Sequence, residues 1–313
     1  MSKLNAGLVI PRQDSASFVR AIVQAEERGV PKVWSTVGGA GADALTSFAA
    51  AAVQTGRVVM GTSITPTYPR HPIVLASQAM SLEGLMPGRL ELGIGTSHRP
   101  TIEGQFGIPM GKPLTHLREY LTVLRALLWE GSVDFQGDVF QVTSSLPEGT
   151  VPPRTPISIS ALRKNAFALA GELADAAITW VTPVPYIIET ALPNLQAGAD
   201  RAGRDRPRLI AHVPVAISTD RAAVADAFRR QFPVYSKLPF YQNMFADAGF
   251  PVTADQAMSD ELVDILAVSG TPDTIRQRLE AIHAEGIDEI LVSHVIVQDA
   301  GSELAELSAI LAG

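Results

Sequence analysis

The chain reads as an α/β protein, a (β/α)8 TIM barrel with an insertion between strands seven and eight, and three observations predict it. Short apolar or β-branched runs alternate with helical stretches along the sequence, eight times over. Regular alternation favours a parallel sheet, and eight repeats favour its closure. Hydroxyls and an imidazole collect where neighbouring strands should stop, with Thr62, Ser63 and Thr65 after the third run and Thr96, Ser97 and His98 after the fourth. In a parallel barrel those carboxyl ends form the working face. Finally, 46% of the 313 residues are hydrophobic and 18% are charged, enough for one large core, so residues 1–313 are expected to form one domain.

Strand one is Leu4 to Ile10, stopped by Pro11, and the helix after it runs through Glu27 to Gly29 with Ser15 or Ser17 as its cap. Strand two is Val33–Trp34. The loop from Thr36 to Asp43 carries Gly38, Gly39 and Gly41 but lacks both the GxGxxG spacing and the Lys-Ser/Thr of a phosphate-binding loop, so it reads as a turn. A helix starts at Ala44. Strand three begins at Val58, and strand four is Leu90 to Ile94, with a crossover helix between them.

Leu114, Leu117, Leu121, Leu124 and Leu128 recur at three- and four-residue steps and predict one apolar helical stripe given to the core. Asp134 to Gln141 reads as a hairpin or excursion around Gly137. Strand five is Ile157 to Ser160, followed by a helix from Lys164 to Ala174; strand six is Ala177 to Trp180 and strand seven Leu209 to Ser218. Asp220 caps a helix to about Gln231. Alternation then fails over residues 232–268, where Phe232, Tyr235, Phe240, Tyr241, Phe245 and Phe250 gather. This inserted segment is either a cover for the substrate site or the apolar face of a dimer interface or satellite core. A helix after Thr271 and Pro272, strand eight at Glu289 to Val297 and a helix from Ser302 finish the chain.

Composition excludes several kinds of function. A formal charge of -7 argues against a nucleic-acid backbone as partner. The absence of cysteine removes disulfides, thiolate metal sites and cysteine nucleophiles. No apolar run approaches the roughly 18 residues of a membrane span, and the first residues lack a cleavable leader pattern, so the expectation is a cytoplasmic protein with no membrane partner. No His-x-x-x-His or His-Glu-x-x-His pattern occurs, so no metal is expected, and GxSxG is absent, which excludes that form of serine hydrolase. Of the six histidines, His116 and His283 fall within helices, His212 lies on strand seven, His294 on strand eight and His71 in the turn after strand three. His98 stands just beyond a strand end and is the candidate acid or base.

The stretch GTSITPTYPRHPIVLASQAMSLEGLMPGRLELGIGTSHR resembles the bacterial-luciferase-like superfamily of flavin- and deazaflavin-dependent oxidoreductases, and within it the branch that uses coenzyme F420. Three later markers follow in order: LTHLREYLTVLRALLWEG with VDFQGDVF, then PISISALRKNAFALAGELADAAITW, then SGTPDTIRQRL. The resemblance implies hydride transfer between F420 and a small organic substrate. Its alternatives are an FMN-dependent monooxygenase of the same fold and a catalytically silent flavin-binding barrel. It further implies a homodimer, a bulge at Thr62, Ser63 and Ile64 backing the ring, a non-prolyl cis peptide at Ser63–Ile64, and Thr96 beside the ring. A phosphate loop at Ala161, Leu162, Arg163 and Lys164 and a pocket wall at Trp180 complete the cofactor contacts. Arg99, Arg163 and Lys164 are the cations that would meet the acidic tail of F420. One departure stands out: many deazaflavin relatives carry an Asp-His or similar pair after strand two, and this sequence has Ser35, Thr36 and Val37 there. His98 is the expected replacement for that missing proton donor.

Overall fold

A computed structural model describes residues 4–11, 13–253 and 257–313. Eight strands form the barrel: β1 Ala6–Val9, β2 Lys32–Ser35, β3 Val59–Thr62, β4 Leu90–Gly95, β5 Ile157–Ser160, β6 Ala176–Ile178, β7 Arg208–Ala216 and β8 Glu289–His294. Each pairs in parallel with its neighbour in sequence, and β8 returns to β1 with Ala6 opposite Ile290, which closes the circuit. Their burial is nearly continuous on both faces, as expected where helices cover a parallel sheet from outside and side chains fill it from inside.

Helix starts follow cap chemistry, with one correction. The first helix, Ser15–Glu27, is capped by Asp14, whose carboxylate accepts the N–H of Ser17, so the serines expected as caps lie inside the helix. The last helix, Ala300–Ala312, repeats the arrangement, with Asp299 accepting from Ser302. The leucine stripe belongs to helix Pro113–Arg125 and the π-helical turn Ala126–Glu130 that continues it. Leu117, Leu121, Leu124 and Leu128 are buried as expected, whereas Leu114 is 39% exposed at the mouth of the barrel, one turn beyond the covered part of the helix. The hairpin predicted around Gly137 is Ser132–Gln136 paired antiparallel with Gln141–Ser145, and Glu119 holds its turn by accepting the N–H groups of Asp138, Val139 and Phe140.

Sequence periodicity does not mark the helical stretch between β6 and β7, because Pro183, Pro185 and Pro193 interrupt it and a π turn at Ile187–Ala191 shifts its phase. It is held by close approach: a Cβ on Gly198 would sit 2.1 Å from the carbonyl oxygen of Ala168 in helix Lys164–Leu173. The segment expected as an insertion, 232–268, contains the 3-10 turn Tyr235–Lys237 and the helices Pro239–Asp247 and Asp260–Leu266; its residues 254–256 lie outside the described residues. Val268 at its end pairs with Val215 of β7, so the sheet resumes one residue earlier than the expected boundary.

The amino-terminal end of the barrel is closed by charge. Lys32, Glu91, Arg208 and Glu289 come from four different strands and interlock, with Lys32 Nζ 2.8 Å from Glu289 and Arg208 3.0 Å from the same carboxylate and 2.9 Å from Glu91. Above them Trp34 fills the barrel, fully buried, its indole N–H donating to Glu289 at 3.1 Å. Burial alone would raise the pKa of Glu91, but Lys32 and Arg208 outweigh it and hold that carboxyl below its ordinary value. Its contribution to stability is therefore complete above the unfolded carboxylate range and is lost as pH falls through the lower folded value. Lys32→Ala is expected to destabilise the fold by about 3 kcal/mol, since it leaves two buried carboxylates sharing Arg208; equilibrium urea unfolding at neutral pH checks this, and an unchanged midpoint would show that the cluster is not stabilising.

Candidate active site

β3 stops at Thr62, and Thr65–Pro66 resumes pairing on the end of β4, opposite Ile94 and Gly95. Between them the Ser63–Ile64 peptide is cis, as the resemblance implies. The break is held by three neighbours. Thr62 Oγ1 donates to the carbonyl oxygen of Gly93 at 2.7 Å and accepts the Gly93 N–H at 2.9 Å. The Ser63 N–H donates to Ser35 O at 2.8 Å, and the Val37 N–H donates to Ile64 O at 3.2 Å, so the loop after β2 is stitched to the bulge. Gly93 leaves the room for this: a Cβ there would lie 1.9 Å from Thr62 O.

A cavity of about 500 Å³ opens over the bulge at the carboxyl end of the strands. Its wall brings together Ser63 and Ile64 from the bulge, Thr96 and His98 after β4, Ala161, Leu162, Arg163 and Lys164 after β5, and Trp180 after β6. Thr62 is the exception among the expected site residues. Its hydroxyl is spent on Gly93 and its side chain is fully buried between strands, so it shapes the bulge and does not reach the cavity. The wall also contains residues that strand-end reasoning does not single out. Thr36 and Val37 enter from the glycine-containing loop, Leu114 from the leucine helix, and Tyr235, Phe240 and Tyr241 from the aromatic segment. Phe232, Tyr241 and Phe245 are buried within the chain itself and pack into its core, while Tyr235, Phe240 and Tyr241 reach the cavity wall, so the segment serves both as core and as part of the wall.

The histidines divide by environment. His98 caps no amide with its side chain, stands edge-on to Tyr241 at 5.7 Å, and has its pKa lowered by burial, so it is a neutral imidazole at neutral pH. His116 is pushed down to about 4 by burial despite Glu119, bonds Thr67 Oγ1 at 3.0 Å, and stacks on Tyr68: a packing residue, as expected for that helix. His212 is fully inside, pushed down to about 3 by burial alone. His71 caps the helix Pro72–Leu85, and His294 pairs with Glu303 at 2.8 Å. Among the described residues no cluster of three or more His, Asp or Glu side chains could hold a metal.

The loop after β5 has the character of an anion site. Helix Lys164–Leu173 starts at Arg163 without a side-chain cap, and while the Ala161 N–H is spent on Ile178 O, those of Leu162, Arg163 and Lys164 meet no acceptor among the described residues. Free amides and the positive helix end attract a phosphate. The expected charge partner is engaged elsewhere: the Arg163 guanidinium binds Asp247 of helix Pro239–Asp247 at 3.0 Å. Arg99 likewise pairs with Glu103, which leaves Lys164 as the one of the three expected cations without an ion pair among the described residues. Ser63 belongs to the same wall, and its buried Oγ is also without a partner among the described residues. An apolar slot with one orphan hydroxyl and an uncapped helix start suits a flat, phosphate-bearing cofactor.

The chain is similar to known proteins over most of its length. Over 297 residues the chain is 25% identical to the 5,10-methylenetetrahydromethanopterin reductase of Archaeoglobus fulgidus, the alignment covering 88% of each chain. It is 32% identical over 219 residues to the F420-dependent glucose-6-phosphate dehydrogenase of Nakamurella multipartita, covering 64% of this chain and 63% of that protein. The fold superposes on an F420-dependent secondary alcohol dehydrogenase, solved in complex with an F420-acetone adduct, with a TM-score of 0.81 at 18% identity over 98% of both chains. The profile of the luciferase-like monooxygenase family matches residues 3–289. This chain belongs to the luciferase-like monooxygenase family.

Proposed function

We propose that the protein is an oxidoreductase that transfers a hydride between coenzyme F420 and a small organic substrate. The observation that carries this reading is the pairing, in one cavity, of the bulge bearing the orphan Ser63 hydroxyl with the uncapped helix start at Arg163 and Lys164. Ser63, Ile64, Thr96 and Trp180 would hold the ring system, and the amides of Leu162, Arg163 and Lys164 the phosphate. When bound, F420 supplies the ring carbon that takes up or releases the hydride. The chain supplies the rest. Tyr241 and Phe240 restrict water at the cavity mouth, and His98, neutral and edge-on to Tyr241, takes or returns the substrate proton that the absent pair after β2 would otherwise handle. A homodimer acting in the cytoplasm completes the proposal; Val53, Val74 and Leu85 stand exposed on the adjoining helices near Ala44–Ala52 and Pro72–Leu85, and light scattering of the pure protein measures the assembly.

The test is a pair of titrations of the apo protein, with F420 and with FMN. Tighter binding of F420 is expected; tighter binding of FMN would replace this reading with the monooxygenase one, and binding without turnover across a broad substrate screen would favour a silent barrel. Arg163→Glu is expected to weaken F420 binding about 10-fold, because it sets a carboxylate at the helix start. Unchanged affinity at low salt would place the phosphate elsewhere.

A further inference from the structure

The cavity is nearly free of charge, and what charge it has lies at one end. Among the described residues its wall carries no aspartate or glutamate, and its only ionic side chains are Arg163 and Lys164, neighbours in the loop after β5. That is the end assigned above to the cofactor phosphate, and the Arg163 guanidinium is already bound to Asp247 at 3.0 Å. Away from this loop the wall is built of apolar side chains such as Val37, Pro66, Met110 and Leu117, and of neutral polar ones such as Thr36 and Ser97. Leu114 and Phe240, 39% and 51% exposed, carry the uncharged wall out to the mouth.

The charges next to that wall in sequence are spent on one another. Arg99, which follows His98, pairs with Glu103 and donates to Met110 O at 2.9 Å, while Glu103 accepts the Met110 N–H at 3.0 Å. His98 adds no charge, since burial keeps its imidazole neutral. Nor do the aromatic side chains make a cage for a cation. One face of Trp180 is covered by His212, with ring centroids 3.7 Å apart and planes 14° from parallel, and His212 is itself held by Ser293 Oγ at 2.7 Å. The indole N–H donates to the Tyr235 hydroxyl at 2.8 Å, and Tyr235 and Tyr241 meet edge to face at 4.9 Å. A cage needs several ring faces turned toward the ligand, and these rings are turned toward one another.

A charge brought against such a wall gives up its hydration and meets no counter-ion, which costs far more than placing an uncharged polar group there. We infer that the substrate of this site is an uncharged organic compound, and that the wall selects against carboxylates, phosphate esters and ammonium compounds. The inference deepens the F420-dependent reading above and rests on it, because the phosphate of the bound cofactor takes up the one anion-binding end of the cavity.

The experiment uses the protein loaded with F420 and probes of nearly equal shape: cyclohexanecarboxamide, which is neutral, cyclohexanecarboxylate, an anion, and cyclohexylmethylammonium, a cation. Calorimetric titration at neutral pH is expected to show the carboxamide bound at least about 10-fold more tightly than either ion. Leu114→Lys sets a cation at the mouth, where a long side chain has room. It is expected to raise carboxylate affinity about 10-fold, the worth of one charge-assisted hydrogen bond, while carboxamide affinity stays within about 2-fold. The assignment is overturned, and the cofactor reading left standing, if either ion binds as tightly as the carboxamide or if the carboxamide does not bind. A carboxylate-to-carboxamide ratio unmoved by the new lysine overturns it equally, since charge would then not be what the wall selects against. Failure of the unaltered protein to bind F420 removes the cofactor reading, and this inference with it.

Discussion

His98→Ala is expected to lower turnover by about 10²–10⁴-fold, the range for losing a positioned acid or base, while F420 affinity changes little. The effect is large because no other histidine among the described residues lines the cavity. After β2 this chain has Ser35, buried against the bulge, then Thr36 and Val37, none of them an acid or base near neutral pH. The other buried histidines are committed elsewhere, His116 to Thr67 and His212 to Val181 and Ser293. The pH profile adds a signature. Burial lowers the pKa of His98, so the neutral, proton-accepting form persists below the ordinary imidazole range, and turnover in the direction that needs a proton acceptor should hold its rate on acidification until that lower value is passed. Steady-state rates across pH for both proteins check this. Full turnover in His98→Ala at every pH would assign the proton to another group.

Gly93→Ala is expected to destabilise the protein by more than about 3 kcal/mol and to abolish cofactor binding in whatever fraction folds. The added methyl would lie 1.9 Å from Thr62 O, and that atom is backbone held by the reciprocal Thr62–Gly93 bonds, so no flexible side chain can move aside. At this chain length the loss corresponds to a fall in Tm of about 5 °C or more. Gly84→Ala is the matched control: it sits in helix Pro72–Leu85 with open space where its Cβ would go, and alanine there should be neutral or stabilising by about 0.5–1 kcal/mol. Equal melting temperatures for the two variants would mean that the bulge does not need the glycine.

The places where local pattern sufficed share a physical cause. Strand runs and helix stripes are periodicities of 2 and 3.6 residues, and a parallel barrel puts every strand end on one face, so Ser63, Thr96, His98 and Trp180 could be assigned to one pocket from the ends of their runs, whereas Arg163 followed only from the family resemblance. Small errors arose where chemistry at adjacent positions competes, as at Asp14 against Ser15 and Ser17 for the first helix cap. Thr62 shows a subtler limit. Its place beside the bulge is legible, but whether a threonine hydroxyl faces a cavity or ties two strands depends on the residue across the sheet, here Gly93, 31 positions away.

By itself, then, the sequence determined the class of barrel, the face on which the site lies and the family to which the chain belongs, because each follows from contacts a few residues apart or from motifs in fixed order. Only the tertiary structure decided how polar groups are paired. The charged floor joins Lys32, Glu91, Arg208 and Glu289 across the barrel, Arg163 is taken by Asp247 of the covering segment, and the chain from Ser293 through His212 and Trp180 to Tyr235 spans three strand ends and a loop. Such pairings have no sequence period. They arise where desolvated donors and acceptors must meet whatever partner the closed fold brings within reach.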